Sequence, residues 1–111
     1  MQPEDAIRVR HMIEAAEAVR SFIAGRKLID LDGDRMLLFA LVRAIEIIGE
    51  AASKLGPEAR AAMPSVPWVS VVAMRHRLVH AYFDIDRTIL WKTATEEIPP
   101  LLSVLRAALK D

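Results

Sequence analysis

Apolar residues recur at steps of three and four along nearly the whole chain, and this periodicity constrains the fold more than any other feature. An α-helix repeats every 3.6 residues, so such steps keep apolar side chains on one helix face. The alternation of apolar and polar residues that is typical of strands is found nowhere in the sequence. We therefore predict an all-α protein whose amphipathic helices pack through their apolar faces.

The start and stop signals of these helices can be read from the sequence. We predict helices over about 3–24, 34–55 and 67–79, a short helix or turn over 57–62, and a last helix from about 86 onwards. Gly25 and Gly56 are the stop signals of the first two long helices. Asp32 or Asp34 caps the second helix and Asp86 caps the last, which the Pro99-Pro100 pair must kink or divide. Pro67 suits a first helical position, with Ser65 nearby as a capping candidate.

The length and composition predict one domain that associates with a second copy. A chain of 111 residues supports a single domain over 1–111 with one core, yet 53% of its residues are apolar. So small a protein cannot hide that much apolar surface alone, which favours a subunit interface. Residues 36–42 are apolar nearly all round the helix, and we assign them to the core and part of a dimer contact.

Charge, cysteine content and the chain start restrict the function and location. The formal net charge is zero, which argues against coating nucleic acid by bulk positive charge but permits a local basic cleft. There is no cysteine, hence no disulfide scaffold and no thiolate metal site. The start, MQPEDAIRVR, lacks a signal-peptide apolar region, and the longest apolar run falls far short of the roughly 20 residues of a membrane span. We expect a soluble, cytoplasmic protein that does not bind membranes.

Burial does not explain the stretch 69–84, VSVVAMRHRLVHAYFD, which places five chemically active side chains within eight residues: Arg75, His76, Arg77, His80 and Tyr82. An imidazole can accept and return a proton near neutral pH, and a guanidinium matches two phosphate oxygens. A base beside a phosphate-binding guanidinium suits cleavage of RNA, in which the ribose 2′-OH is the nucleophile. Five residues of helix place Arg75 and His80 about 140° apart. They converge only if the helix frays before His80 or a second copy completes the site.

Three sets of residues extend this motif into a family resemblance. They are 66–86, with the Arg-x4-His-x-Tyr motif at Arg75, His80 and Tyr82; 43–52, RAIEIIGEAA; and Trp91 with 97–99. On these residues the chain resembles the HepT-like toxins, a branch of the HEPN superfamily of all-α ribonucleases, and the resemblance extends in order over nearly the entire chain. The resemblance implies a HEPN-like up-and-down bundle of four to five helices that forms a homodimer.

The resemblance also implies an activity and partners. Arg75 and His80 would be the catalytic pair of a toxin ribonuclease, with no cofactor and no metal. Tyr82 would be the residue to which a nucleotidyltransferase antitoxin of the MNT type attaches AMP from ATP. The expected partners are RNA, that antitoxin, and a second copy of the chain, with a larger hetero-oligomer as a further option. His76 departs from the asparagine often found after the arginine, so it either hydrogen-bonds like an amide or carries a proton itself.

Supporting roles are expected for a second group of charged residues. Arg43, Glu46 and Glu50 lie three and four residues apart on one helix face. They form either a ladder of ion pairs within the helix or a layer that orients Arg75 and His80. His76 and Arg77 belong to the same supporting group.

Three other interpretations stay open on the residues alone. The basic cluster could bind a nucleotide or an acidic face of a nucleotidyltransferase without cleaving anything, or be no more than a solvated helix face. His76, His80 and Asp84 would stack as metal ligands if the helix continued through Ala81. A calcium-binding EF-hand loop that starts at Asp30 is excluded. Its sixth position needs glycine and its twelfth glutamate, but these positions hold Arg35 and Leu41.

Overall fold

Two long helices form the centre of the molecule. A computed structural model describes residues 1–110, in which α1 (Pro3–Ile23) packs against α3 (Arg35–Ser53) and against α8 (Ile98–Leu109). Val9, Met12, Ala16 and Val19 of α1 are completely buried, at the three- and four-residue steps that the sequence shows. Within residues 1–110 the expectation of a helical bundle is confirmed.

Shorter elements surround this centre. They are α2 (Asp30–Gly33), α4 (Pro57–Ala61), α5 (Trp68–Val72), α6 (Met74–Leu78), β1 (Val79–Ala81), β2 (Asp84–Ile85), α7 (Arg87–Lys92) and a π-helical turn (Thr93–Glu97). No helix among residues 1–110 has both the length and the apolar character to cross a membrane.

Two of the predicted helix caps are confirmed. A side-chain oxygen of Asp34 accepts a hydrogen bond from the Leu37 N–H at 3.0 Å, and one of Asp86 accepts from the Ile89 N–H at 2.9 Å. Each bond satisfies an N–H that has no partner within its own helix. The interpretation of Pro67 and Ser65 was wrong: Pro67 lies just before α5, which begins at Trp68 without a side-chain cap.

The predicted single helix over 67–79 was wrong in its middle. The chain breaks at Ala73 (φ −90°, ψ 3°) into α5 and α6. Val71, Met74 and Leu78 are buried on both sides of the break and keep the spacing of one helix, so periodicity could not reveal it. Several β-branched valines in α5 lower its helix propensity, which makes an interruption here less costly.

A two-stranded hairpin corrects the expectation that the chain contains no strands. Helix α6 ends at Leu78, after which Val79 is extended and pairs with Ile85, while Ala81 pairs with Asp84. Val79 and Ile85 are half-buried and pack against the core. Strands of three and two residues are too short to produce a detectable alternation.

The Pro99-Pro100 pair divides the last helix as predicted. Proline has no N–H, so the carbonyls of Thr95 and Glu96 lose their α-helical donors. The structure accommodates this loss with the π-helical turn, after which α8 carries both prolines near its start. Extra-wide turns of this kind place residues differently around the helix than a regular α-helix does.

Candidate active site

Arg75 is held in place by an acidic side chain from another helix. Its Nε donates to Oε2 of Glu46 on α3 at 2.8 Å, and Oε1 of Glu46 accepts from Nη1 of Arg43 at 2.6 Å. The hydrogen bonds from Arg43 and then Arg75 hold the pKa of the Glu46 carboxyl below its usual value, although partial burial acts in the opposite direction. Glu46 thus bonds both within α3, to Arg43, and across to α6, to Arg75, while its supporting role in catalysis stays a prediction.

A groove of about 280 Å³ opens beside this contact. Glu50 and His76 line it together with Glu46 and Arg75. Arg75 is 47% exposed, and within residues 1–110 only its Nε makes a hydrogen bond. Its two Nη groups thus remain available to bind an anion, such as a phosphate, that enters the groove.

His80 occupies the middle of β1, directly after the helix that carries Arg75. Its side chain is 53% exposed, with Nε2 3.9 Å from Oδ2 of Asp86. Asp86 is itself fixed twice, because its other carboxylate oxygen caps α7 and its backbone N–H donates to the Leu78 carbonyl at 2.7 Å. The Asp86 carboxylate therefore lies at ion-pair distance from the imidazole of His80, but beyond hydrogen-bond distance.

Arg77 points away from the groove towards the π-helical turn. Its Nη2 lies 3.3 Å from Oε1 of Glu97 and 3.4 Å from the Ser70 carbonyl. The buried Thr93 hydroxyl donates to the other Glu97 oxygen at 2.9 Å. Arg77 therefore braces α6 against the π-helical turn and α5, and does not contact the Arg75 groove.

Tyr82 lies in the turn of the hairpin and is 92% exposed. Its ring meets that of Phe83 edge to face, with 5.1 Å between the ring centroids. Both rings line a second groove, which shares no residue with the groove at Arg75. Within one subunit, His80 lies on the strand that connects the helix of Arg75 to the turn of Tyr82.

Comparison with known proteins identifies the family. A family model described as Ribonuclease HepT-like matches residues 12–108. The chain belongs to the HepT-like family. A relative from Thermococcus cleftensis named "Probable ribonuclease HepT" is 40% identical over 88 residues, which are 79% of this chain and 80% of the relative. "Putative RNase MJ1380" of Methanocaldococcus jannaschii is 36% identical over 90 residues, 81% of this chain and 83% of that protein. No solved structure matches significantly.

Family membership confirms part of what the sequence predicts for this HepT-like chain. The expected family is confirmed, and so is the ribonuclease class that the family description prints. The motif residues Arg75, His80 and Tyr82 fall on three successive pieces of chain: a helix, a strand and a turn. Their catalytic and modification roles remain predictions.

The metal interpretation depended on a structure that this HepT-like chain does not form. A stack of His76, His80 and Asp84 required a regular helix through Ala81, but α6 ends at Leu78 and His80 lies on a strand. Among residues 1–110 no group of three His, Cys, Asp or Glu side chains is placed to hold a metal ion.

The acidic residues of 30–34 have a structural explanation. Arg26 Nη2 lies 2.7 Å from Oδ2 of Asp34, and Arg26 Nε lies 3.4 Å from Asp30. The hydrogen bond from Arg26 and the cap bond to Leu37 lower the pKa of Asp34. These carboxylates tie the loop before α3 to the end of α1.

Sequence reasoning missed the contact between His80 and Asp86. Asp86 is recognisable as a helix cap from its position before α7, but its second role depends on the hairpin folding back along β1. No helical periodicity signals such a contact, because a hairpin brings together residues by its register and turn.

Proposed function

We propose that this HepT-like chain is an endoribonuclease that cleaves RNA with Arg75 and His80. The observation that carries the proposal is the fixed pair of contacts on either side of Leu78. Glu46 holds Arg75 at 2.8 Å with its Nη groups uncommitted, and Asp86 lies 3.9 Å from the exposed imidazole of His80. The site thus pairs a base with a phosphate-binding guanidinium, and each has an acidic neighbour. Such a pair suits attack of the ribose 2′-OH on the adjacent phosphate of the same RNA strand.

In the proposed reaction the ribose supplies the nucleophile. His80 accepts the proton of the 2′-OH, O2′ forms a bond to the adjacent phosphorus, and the bond from phosphorus to O5′ breaks. The departing O5′ takes a proton from water or from an imidazole of the second copy. The products are a 2′,3′-cyclic phosphate and a free 5′-OH. Arg75 binds the non-bridging oxygens, where charge accumulates in the transition state.

We propose further that the working unit is a homodimer with a shared site. His80 does not line the groove at Arg75 within one subunit. Large apolar side chains are also left uncovered, with Met36 83% exposed and Val69 85% exposed. Association of two copies would cover apolar surface and let the Arg75 of one chain approach the His80 of the other.

Regulation by adenylylation is the third part of the proposal. In a toxin–antitoxin pair, a nucleotidyltransferase of the MNT type would present ATP to Tyr82. The phenolic oxygen attacks the α-phosphorus, pyrophosphate leaves, and the phenolic proton passes to solvent. Exposure of Tyr82 at the hairpin turn supports access to its hydroxyl. The attached AMP would add bulk and negative charge two residues from His80 and repel RNA phosphates.

The catalytic assignment is tested by H80A. We expect RNA cleavage to be lost while the free energy of unfolding changes by less than about 0.5 kcal/mol, because His80 is largely exposed. H11A, which alters an exposed histidine on α1, is the matched control and should cleave normally. The wild type should not cleave a substrate with a 2′-deoxy nucleotide at the cleaved position, because that substrate lacks the attacking hydroxyl. Undiminished cleavage by H80A would remove His80 from the mechanism.

The modification is tested by intact-mass measurement after co-expression with a nucleotidyltransferase of the MNT type. We expect mass increments of AMP on the wild type and none on Y82F, together with lower ribonuclease activity of the modified wild type. Equal increments on Y82F would place the modification elsewhere. A wild-type protein that binds the nucleotidyltransferase but cleaves no RNA would favour a non-catalytic binding subunit.

A further inference from the structure

The groove beside the hairpin turn combines exposed aromatic rings with guanidinium groups. It encloses about 510 Å³, and Phe39, Phe83, Arg35 and Arg87 contribute to its lining beside Tyr82. Phe39 is 54% exposed and Phe83 is 78% exposed. Large aromatic side chains usually bury most of their surface, so two uncovered rings around one groove indicate a surface with a ligand.

The cations of this groove are placed next to the rings. The guanidinium carbon of Arg35 lies over the Phe39 ring, 5.5 Å from its centroid, in a cation–π contact. Arg87 Nε lies 3.4 Å from Oδ1 of Asp32, which holds Arg87 at the edge of the groove. The groove therefore offers aromatic rings beside two guanidinium groups, together with the one carboxylate, that of Asp32, which pairs with Arg87.

The groove is formed in part by residues that are close to His80 in the chain. Arg87 follows Asp86, the residue whose carboxylate lies beside His80. Tyr82 and Phe83 belong to the turn of the same hairpin that carries His80 on β1. A ligand of both places needs a flat ring for the groove and a phosphodiester for His80, and a strand of nucleic acid carries both.

We propose that this groove binds an unpaired nucleotide of the RNA, adjacent to the cleaved phosphodiester. The base stacks on Phe39 and Phe83, and its phosphate meets Arg87. Unpaired bases stack on aromatic side chains and on guanidinium planes, whereas a duplex keeps both faces of its bases covered. The substrate class is accordingly single-stranded or looped RNA. The inference rests on RNA being the ligand of the proposed function, but not on cleavage.

Binding can be measured without cleavage by using a fluorescent single-stranded 2′-deoxy oligonucleotide, which lacks the attacking hydroxyl. We expect F39L and F83L each to weaken its binding by about fivefold to a hundredfold, the range of one lost stacking contact. F22L makes the same substitution at an exposed phenylalanine of α1 outside the groove and should bind within about twofold of the wild type. A duplex of the same length should lose little affinity in F39L.

Charge is tested separately by the salt dependence of binding. We expect R87Q to reduce the slope of log affinity against log salt by about 0.7, because one phosphate contact with a single strand is lost. R106Q removes an exposed arginine of α8 that pairs with Glu17 and should leave the slope unchanged. Equal effects of R87Q and R106Q would mean that the groove has no particular phosphate contact.

Two results would overturn the nucleotide groove. The first is unchanged oligonucleotide binding by F39L and F83L. The second is a fall in molecular mass from dimer to monomer in F39L with undiminished binding per subunit, which would make the groove a contact between copies. If F39L and F83L lose binding while H80A still cleaves RNA, the groove proposal holds and the catalytic assignment fails. If F39L and F83L bind normally while H80A is inactive, the catalytic assignment holds and the groove proposal fails.

Discussion

Glu46 is the residue on which the position of Arg75 depends. An arginine side chain has many rotamers, and fixing it costs conformational entropy unless a partner is already in place. Glu46 is such a partner because Arg43, one helical turn earlier, holds its other oxygen. The three side chains form a chain of two hydrogen bonds that orients the guanidinium before any substrate arrives.

E46Q tests this role. The ion pairs of Glu46 are partly exposed, so we expect the free energy of unfolding to fall by less than about 1 kcal/mol. We expect kcat to fall about tenfold or more, because a displaced Arg75 side chain no longer contacts the phosphate in the transition state. E17Q removes an exposed carboxylate that pairs with Arg106 on α8 and should retain full activity. Equal losses in the two variants would assign the effect to general surface charge.

The lowered pKa of Glu46 predicts a pH dependence of stability. The folded-state pKa lies below the ordinary value of 4.5, so the stabilisation is complete above that pH and is lost as the pH falls through the lowered pKa. We expect the wild type to be more stable than E46Q at pH 7, and by a smaller margin at pH 3, where more of the Glu46 carboxylate is protonated. Urea unfolding of both proteins at the two pH values measures the difference, and a constant difference would show that the Glu46 charge contributes nothing.

The two roles of Asp86 can be separated by two substitutions. D86N keeps a good capping side chain but removes the charge beside His80, so we expect stability within about 0.5 kcal/mol of the wild type and kcat lowered about tenfold. D86A should lose the cap as well, at a cost of about 1 kcal/mol of stability. Thermal unfolding and initial rates measure the two effects. Full activity in D86N would limit Asp86 to its capping role.

At the scale of elements, α3 and α5 approach each other closely at Gly49. A Cβ added there would lie 3.3 Å from the backbone carbonyl oxygens of Val71 and Val72. These carbonyls belong to α5, whose end leads through Ala73 into α6 and Arg75. The distance between the two helices therefore sets how far Arg75 lies from Glu46.

G49A is expected to push α5 away from α3. Alanine at a mid-helix glycine ordinarily stabilises by up to about 1 kcal/mol, but the contact with fixed backbone atoms should outweigh this gain and leave the protein about 1 kcal/mol less stable. Because α6 moves with α5, kcat should fall as well. G33A, in α2, meets nothing within 4 Å and should be neutral or stabilising. A stabilised, fully active G49A would show that α5 adjusts freely.

The elements differ in how well the sequence predicts them. The helix caps at Asp34 and Asp86 are local, since each depends on a side chain three residues before the N–H that it binds. The break at Ala73 and the hairpin after Leu78 are not local, because both are fixed by packing against α3 and the core. Tertiary contacts override weak local preferences in such short pieces.

For the whole molecule, the central question is how many copies make one site. Arg75 and His80 have different neighbours within one subunit, Glu46 on α3 and Asp86 before α7. A shared dimer site predicts that two inactive variants can complement each other. Such complementation is impossible when each subunit carries a complete site of its own.

Mixing R75A with H80A tests the shared site. After unfolding and refolding together, half of the dimers should contain one subunit of each kind. In these, one of the two sites has Arg75 from one chain and His80 from the other, so we expect about a quarter of wild-type activity. Each variant alone should be inactive. An inactive mixture of demonstrated heterodimers would place the complete site within one subunit.

The sequence by itself determined the helical class, the two long central helices, two of the helix caps and the family, because periodicity, capping and a linear motif depend on residues close together in the chain. Only the tertiary structure decided the bond from Glu46 to Arg75, the place of Asp86 beside His80 and the aromatic groove at the hairpin turn. Each of these joins residues from different elements. Their distances are set by how helices and strands pack, and helical periodicity does not encode that packing.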